Sequence, residues 1–361
     1  MGRVRVVAVG SLLVAALAGC GSSVPKGWQR VHLPVTLSEV VSVSCPSPTR
    51  CIAAGDETGK SGEVTGDLLY STGDMERWNL TKKVAGTRFD TVACSGPVCS
   101  ALGGSGEGGG LATSTPAVYQ SNDGGQSWQG EETGLGEPGE MVAMSCPTRL
   151  FCVAVGNSSE QTAFSAISAD GGVRWGSETT LPGLAAASGL SCPSVNRCIV
   201  VGGTMMAGFP TGAALDVSTD GGRSWAPGAM PTGLGAFTAI GCQSAIHCIT
   251  VGSADIHGTR PSIMRTVDGG QTWKHVTISP RVSLPITSLA CTKGAGCVAG
   301  TASGHILVQA TSTGWRDQLI SRAGMSILGL SCPTRHLCVT AGIVVNKSGP
   351  AGAVSVNRQG T

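Results

Sequence analysis

Charged residues are scarce in this sequence, at 13% of its 361 residues, and neither sign predominates. Lysine and arginine together number 24, and aspartate and glutamate number 22. Arg3 and Arg5 lie in an amino-terminal segment that we expect to be removed, which leaves 22 residues of each sign. A neutral chain has no overall potential to attract a polyanion. The composition therefore predicts no nucleic-acid partner and no charge-driven membrane binding.

Histidines are also few, and the six are scattered along the chain. Their positions form neither a metal site nor a catalytic triad, and His247 and His336 lie inside short cysteine loops. The glycine-rich stretch GGSGEGGG at 103–110 lacks the Gly-Lys-Ser/Thr ending of a phosphate-binding loop. We predict a flexible loop there, and neither a metal nor a cofactor for the protein.

The most apolar segment, residues 6–17, is too short to cross a bilayer but typical of the core of a signal peptide. It ends in Leu17-Ala18-Gly19-Cys20, which resembles the bacterial lipobox. The resemblance implies cleavage before Cys20 and lipidation of its thiol; the alternative is an ordinary secretory signal. We expect a signal peptide at 1–19, a lipidated tether at 20–27 and one domain at 28–361. The protein would then be anchored to the extracytoplasmic face of the cell membrane.

Cysteines are numerous, and beyond Cys20 the other 14 form seven close pairs that recur every 41 to 52 residues. A period of this size is typical of propellers and solenoids. Zinc sites gather four ligands and favour two to four residues between cysteines, whereas four or five intervene here. An exported protein can oxidise its cysteines, so we predict seven local disulfides. The predicted pairs are Cys45–Cys51, Cys94–Cys99, Cys146–Cys152, Cys192–Cys198, Cys242–Cys248, Cys291–Cys297 and Cys332–Cys338.

There are also seven tryptophans, one for each cysteine pair. Each of the seven precedes the first cysteine of a pair by 16 to 18 residues, and none lies outside this pattern. Both residue types therefore count seven repeating units. The tryptophans are Trp28, Trp78, Trp128, Trp175, Trp225, Trp273 and Trp315.

One unit, residues 236–278, contains four short β-rich runs: AFTAIGC, CITVG, SIMRTV and TWKHVTI. Turn-forming residues separate them, which is typical of an antiparallel meander. Four strands per unit and seven units predict an all-β fold, a seven-bladed β-propeller of four-stranded blades.

The turn between the third and fourth runs repeats an eight-residue motif, for example STDGGRSW at 218–225. The motif resembles the Asp-box, or bacterial neuraminidase repeat, of sialidases, sortilin-type receptors and photosystem II assembly factors. The cysteine pairing resembles that of extracytoplasmic propellers of high-GC Gram-positive bacteria. The Asp-box resemblance implies that aspartate, serine and backbone amides bond within the turn, and that the tryptophan packs between blades. The aspartates concerned are Asp123, Asp170, Asp220 and Asp268.

The seventh motif is split between the two ends of the repeat region. Aligning AVSVNRQG (353–360) with ALDVSTDG (214–221) places Asn357 at the serine and Gln359 at the aspartate of the motif. We therefore expect residues 28–34 to add the outer strand to three strands from 326–360. This 3+1 closure would leave no blade with an unmatched edge.

The cysteine loops and Asp-box turns should share one face of the ring, here called the disulfide face. The opposite, long-loop face should carry function, because function usually resides in loops of variable sequence. The alternative for each of its side chains is an ordinary solvated loop residue. Polar candidates are Glu57, Lys60, Arg88, Asp90, Glu140, Asp255, His257, Arg260, Arg281 and Arg322. Met205, Met206, Phe209 and Phe237 are candidates for an apolar patch.

Two functions remain open. A sialidase needs a tyrosine nucleophile, but Tyr70 and Tyr119 lie beside Asp-box serines, near the disulfide face. Any other glycosidase would need two carboxylates about 5–10 Å apart, and nothing in the sequence singles out such a pair. We therefore expect a non-catalytic, monomeric scaffold or binding module for a protein or cell-envelope ligand. The alternative is a carbohydrate-active enzyme or a glycan-binding protein.

Overall fold

The computed structural model describes residues 27–358, apart from short gaps. The gaps are 107–114, 132–134, 136–138, 159, 161, 207–208, 231–234, 256, 258, 279–284, 295, 312–313, 321–323 and 348. Cys20, the predicted signal peptide and most of the predicted tether therefore lie outside the described residues. In the part of the chain that is described, no helix is long and apolar enough to cross a membrane.

The fold is a ring of seven four-stranded antiparallel sheets, which confirms the predicted seven-bladed β-propeller. Blades 1 to 3 run from inner to outer strand as follows. Blade 1 has β2 (Glu39–Ser47), β3 (Arg50–Thr58), β4 (Val64–Thr72) and β5 (Trp78–Ala85). Blade 2 has β6 (Thr87–Ser95), β7 (Val98–Ser105), β8 (Thr115–Ser121) and β9 (Gln129–Glu131). Blade 3 has β10 (Gly139–Ser145), β11 (Cys152–Ser158), β12 (Ala163–Ser168) and β13 (Thr179–Thr180).

The remaining blades follow the same order. Blade 4 has β14 (Ala186–Ser191), β15 (Cys198–Met206), β16 (Phe209–Ser218) and β17 (Ala226–Pro227). Blade 5 has β18 (Ala236–Cys242), β19 (Cys248–Ser253), β20 (Pro261–Thr266) and β21 (Lys274–His275). Blade 6 has β22 (Ile286–Thr292), β23 (Gly296–Thr301), β24 (His305–Gln309) and β25 (Trp315–Leu319). Blade 7 has β26 (Met325–Thr334), β27 (Leu337–Asn346), β28 (Gly349–Asn357) and β1 (Trp28–Val31).

The ring closes as the sequence predicts. Strand β1 pairs with β28, so three carboxy-terminal strands and one amino-terminal strand complete blade 7. Each inner strand contacts the inner strands of both neighbouring blades, and β2 meets β26 where the ring closes. The second strands are buried on both sides, as the all-buried β19 illustrates, because each blade is covered by its two neighbours.

A tryptophan lies at each blade interface. Trp128, from blade 2, packs with Ile52 and Leu68 of blade 1, and Trp78, from blade 1, packs with Val339 of blade 7. The other tryptophans occupy the matching places, and Trp28 fills the one between blades 6 and 7. Each tryptophan thus joins its blade to the preceding one.

All seven predicted disulfides are present, each joining the first two strands of one blade. In blades 1 to 5 the first glycine of the neighbouring third turn donates its N–H to a carbonyl of the cysteine loop. One example is the 2.8 Å bond from Gly171 N to Leu150 O. The two turns of the disulfide face are therefore fastened to each other through backbone atoms.

The third turns, whose sequences resemble the Asp-box, are closed by hydrogen bonds of their own serine or threonine and aspartate. In blade 4 the Ser218 hydroxyl donates to Asp220 and accepts the Gly222 N–H, while Asp220 accepts the Ser224 N–H and hydroxyl. Asp123, Asp170 and Asp268 accept equivalent backbone N–H groups in their own turns. These aspartates shape the chain, since their oxygens are already occupied by donors of the turn.

The third turn of blade 1, STGDMERW at 71–78, has its aspartate one place later than the other motifs but keeps the same position for its tryptophan. Met75 stands where blade 2 has Gly125, and it adopts the left-handed region with φ 60°. Its carbonyl accepts the indole N–H of Trp78 at 3.1 Å, as the Gly125 carbonyl accepts that of Trp128. The tryptophan position is therefore preserved although the aspartate has moved along the sequence.

Candidate binding site

The inner strands line the central channel, and each contains one bulge near its start, on the long-loop face. A bulge leaves one residue without a ladder partner and redirects its side chain. The bulge positions are equivalent in all seven blades, so they form a ring near the channel mouth. The residues of this ring are Val41, Asp90, Val142, Ser188, Thr238, Thr287 and Leu328.

The residues two positions before each bulge form a second ring. Their side chains are charged on one side of the channel mouth and uncharged on the other. Blades 1, 2 and 3 carry Glu39, Arg88 and Glu140 at this position. The other four blades carry only small or uncharged residues there, so the charge is confined to one sector. The uncharged residues are Ala186, Ala236, Pro285 and Ser326. We call the sector formed by Glu39, Asp56, Arg88, Asp90 and Glu140 the charged sector.

Arg88 links blades 1 and 2 within this sector. Its guanidinium forms an ion pair with Glu39, and its Nε lies 3.4 Å from Oδ2 of Asp56. Asp56 is buried, and its Oδ1 accepts the Phe89 N–H at 3.1 Å. Burial raises the pKa of Asp56 to about 7, although the Phe89 N–H and Arg88 oppose the rise. One arginine therefore faces two carboxyl groups that it only partly neutralises.

Asp90 is the bulge residue of blade 2 and the one charged member of the bulge ring. Burial raises the pKa of Asp90 to about 8, and the nearby Glu140, Asp56 and Glu39 add to the rise. The equivalent residues of blades 5 and 6, Thr238 and Thr287, donate their hydroxyls to carbonyls of the next inner strand. Among the described residues Asp90 has no such partner, so its carboxyl group lies near the channel mouth without a hydrogen bond.

Glu140 marks the other end of the charged sector, at the boundary with blade 4. Its Oε1 accepts a hydrogen bond from the amide of Asn157 at 3.3 Å, and Asn157 also accepts the Ala187 N–H at 2.7 Å. Asn157 in blade 3 and Asp56 in blade 1 thus play the same part, since each accepts an N–H from the next inner strand. The hydrogen bond from Asn157 fixes the Glu140 carboxylate through Oε1, and Oε2 is left for a ligand.

A further buried carboxyl group lies beside the charged sector, in β4 of blade 1. Both oxygens of Asp67 are buried without a hydrogen-bond partner, and Lys83 Nζ lies 4.0 Å from Oδ2. Burial raises the pKa of Asp67 to about 6 against the opposing effect of Lys83. Lys83 is itself paired with Glu57, one of the residues that the sequence marks as a candidate. Glu57 therefore belongs to an ion pair at the edge of the site.

The other predicted residues are not brought to this site as ligand-binding groups. The carboxylate of Asp255 accepts the N–H groups of His257, Thr259 and Arg260, and it pairs with the Arg260 guanidinium. These bonds close the loop between β19 and β20 and lower the pKa of Asp255. His257 and Lys60 are exposed loop residues.

The prediction that Phe237 belongs to an apolar patch on the long-loop face is wrong. It lies one residue inside β18, just before the bulge, and its side chain is fully buried between blades 4 and 5. Met205, Met206 and Phe209 end the β15–β16 hairpin, and their side chains lie outside the described part, as do Arg281 and Arg322. Tyr119 packs edge-to-face against Phe89, with the two ring centroids 5.5 Å apart.

Glu39, Asp56 and Asn157 are site residues that the sequence interpretation missed. Glu39 could have been found by aligning the starts of the repeat units, because it takes the place of Arg88 and Glu140. Asp56 and Asn157 lie in the second strands, where an apolar residue is the rule, so a polar side chain there is itself a signal. In the described part of the chain, no three His, Cys, Asp or Glu residues are placed to hold a metal ion.

Solved structures with the same fold are found at low sequence identity. YCF48 bound to D1 peptide is 15% identical with a TM-score of 0.61, over 91% of this chain and 94% of that one. YCF48 from Cyanidioschyzon merolae is 16% identical with a TM-score of 0.60, over 92% and 99%. The structure of U3-55K is 10% identical with a TM-score of 0.63, over 92% and 98%.

No protein-family model matches the sequence, and no curated protein matches it either. At these identities the solved structures share the fold alone. The chain is a seven-bladed β-propeller with one disulfide in each blade and a charged sector at the mouth of its channel.

Proposed function

We propose that this protein is a non-catalytic binding module that holds a protein partner at the channel mouth of its long-loop face. The observation that carries the proposal is the charged sector of blades 1 to 3. Glu39, Asp56, Asp90 and Glu140 surround a single arginine there. The other four blades carry no charged residue at the position of Glu39, Arg88 and Glu140. A partner with a charged group would therefore bind on the side of blades 1 to 3.

The chemistry of the sector favours a cationic group on the partner, either a lysine or arginine side chain or a free amino terminus. The raised pKa of Asp90 reflects burial and the negative charge of its neighbours, and a bound cation would offset the second of these effects. A cation at this point could donate hydrogen bonds to the free oxygens of Asp90 and Glu140. A propeller of the same fold, YCF48, has been solved with the D1 peptide bound, which supports a peptide as the form of the partner.

We also propose that the protein acts outside the cytoplasm, attached to the membrane through a lipid on Cys20. The support is the sequence of residues 1–20 and the seven disulfides, since disulfides persist in oxidising compartments. Metabolic labelling with a radioactive fatty acid tests this directly. Label should enter the wild-type protein and not the Cys20→Ala variant; unlabelled wild type would overturn the lipid anchor.

The binding function is tested by capture from envelope extracts with residues 21–361, followed by measurement of affinity for the partner recovered. Glu39→Gln and Glu140→Gln should each weaken the affinity about tenfold, because each removes a charge that faces the ligand cation. Glu160→Gln, at an exposed position on the same face, is the matched control and should have no effect. Equal affinities for all variants, or a specific glycan as the sole ligand on an array, would overturn the proposal.

A second function, glycoside hydrolysis, is favoured by one observation. Asp90 has a raised pKa and lies within electrostatic reach of Glu140, and such unlike carboxyl groups can serve as general acid and base. A panel of aryl glycosides tests it with the wild type, Asp90→Asn and Glu140→Gln. Hydrolysis that disappears in both variants would establish the enzyme; hydrolysis that persists in both would remove this pair from consideration.

A further inference from the structure

The charges of this neutral protein are distributed unevenly, and the disulfide face is basic. The seven cysteine loops together contain five lysine and arginine residues, two histidines, and no aspartate or glutamate. Arg149, Lys293 and Arg335 are exposed in these loops. The third turns add exposed Arg174 and Arg223. The overall neutrality that argues against charge-driven membrane binding therefore hides a cationic surface.

The acidic residues of this face are largely occupied. Four are the Asp-box aspartates, whose oxygens accept donors of their own turns. Glu76 is paired with Arg358, and Asp74 accepts the Glu76 N–H. Arg149, Lys293 and Arg335 are exposed without an acidic partner in their own loops, whereas the Asp-box carboxylates are held by donors of their turns and Glu76 by Arg358.

Exposed apolar side chains accompany these charges. Of the five large apolar side chains exposed in the described part of the chain, four lie on the disulfide face, within blades 3 to 5. Leu150 is 63% exposed, Ile246 50%, Val267 44% and Val195 39%. Leu150, Val195 and Ile246 are in cysteine loops, each interleaved with the basic residues. Apolar tips among basic side chains are the composition of surfaces that lie at a membrane interface.

The amino-terminal tether reaches the same face. Gly27 lies beside Asn357, where the end of β28 meets the start of β1 on the disulfide face of blade 7. Gly27 is seven residues after Cys20, and an extended segment of that length spans about 25 Å at most. Blade 7 is across the ring from blades 3 and 4. The tether and the apolar tips therefore lie at opposite edges of one face.

We propose that the disulfide face is a docking surface for an anionic lipid bilayer, which it contacts directly. The loop arginines and lysine lie over lipid phosphates, and Leu150, Val195, Ile246 and Val267 enter the headgroup region. The charged sector of the channel mouth then points away from the membrane, toward the partner. This inference requires neither the lipid on Cys20 nor the proposed binding function, because both groups of residues belong to the ring itself.

The test is binding of residues 21–361, which contain all seven complete blades and lack the apolar segment, to lipid vesicles. We expect binding to phosphatidylcholine vesicles with one third phosphatidylglycerol, loss of binding at 0.5 M salt, and no binding to pure phosphatidylcholine. One basic residue at such a surface changes the partition coefficient about fivefold. The triple substitution Arg149→Gln, Arg174→Gln and Lys293→Gln should therefore weaken binding about a hundredfold.

The matched control removes three cations from the long-loop face: Lys60→Gln, Arg260→Gln and Lys347→Gln. It has the same net charge as the first variant and should bind like the wild type. Leu150→Ser with Ile246→Ser should weaken binding about tenfold. Equal weakening by both triple variants, equal binding to both vesicle types, or binding to soluble dextran sulfate without binding to vesicles would overturn the proposal.

Discussion

Trp28 and Asn357 are antiparallel partners, and this pair joins the first described strand to the last. The Trp28 indole is buried with Ile306 and Val308 of blade 6 and Ile327 of blade 7. One residue thus completes both a sheet and an interface between blades. The ring depends on this contact because no covalent bond joins β1 to β28.

Trp28→Ala should lower the free energy of unfolding by about 3–5 kcal/mol, the usual loss for a buried tryptophan. Denaturation in urea measures the change. Gln29→Ala, on the exposed side of the same strand, should change stability by less than about 0.5 kcal/mol. Equal losses in the two variants would mean that β1 contributes little to closure.

Asp220→Ala should destabilise the fold by about 1–3 kcal/mol, because the N–H groups and hydroxyls of its turn lose their acceptor. Partner binding at the channel mouth should be unchanged, because the turn lies on the opposite face. Thermal melting and an affinity measurement on the same samples separate the two effects. Normal melting with lost binding would contradict the structural role.

Asp90 should make stability fall as the pH rises. The native state keeps its proton up to about pH 8, whereas the unfolded chain releases it near its ordinary value of 3.8. Between these values the unfolded state binds fewer protons, so stability decreases with pH. Asp90→Asn cannot ionise, and between pH 5 and pH 8.5 it should gain about 4 kcal/mol over the wild type, since the linkage acts over about three pH units. Urea denaturation across this range measures the gain. If the stabilities of the two proteins changed with pH in the same way, the pKa of Asp90 would not be raised by folding.

Removal of one disulfide should have a modest effect. Replacing Cys242 and Cys248 with alanine should cost about 2 kcal/mol, because a loop of this length restricts the unfolded chain only slightly. The first glycine of the adjacent turn, Gly269, still donates to Ile246 in the same loop. Denaturation in urea with and without the pair measures the loss, and a collapse of the whole fold would show that the disulfide does more than close its loop.

The fold could be predicted from the sequence because its signals repeat. Cysteine pairs and tryptophans recur at one period, and each repeat sets the same turns, so errors at any one unit do not change the count. The seventh unit was recovered from Asn357, whose alignment with Ser218 anticipated the pairing with Trp28.

The site could be predicted only in part, because it depends on strand register. Asp90 and Glu140 were among the candidates, but the burial of Asp90 follows from a bulge between Phe89 and Thr91 that alternation in the sequence does not reveal. The same bulge position explains the error at Phe237, which faces the core instead of the loops. Asp255 was predicted as a ligand residue, but its oxygens accept backbone N–H groups of its own loop, and residue type does not reveal such bonds.

Each tryptophan packs against the blade that precedes its own, and this has a consequence for the order in which the ring forms. No blade has a finished interface until its successor has been made, and blade 7 must wait for both β28 and β1. A chain that is synthesised from its amino end therefore presents β1 first and must keep it unpaired until β28 has been made. Until the ring closes, β1 and β28 each have an unpaired edge with which another chain could pair.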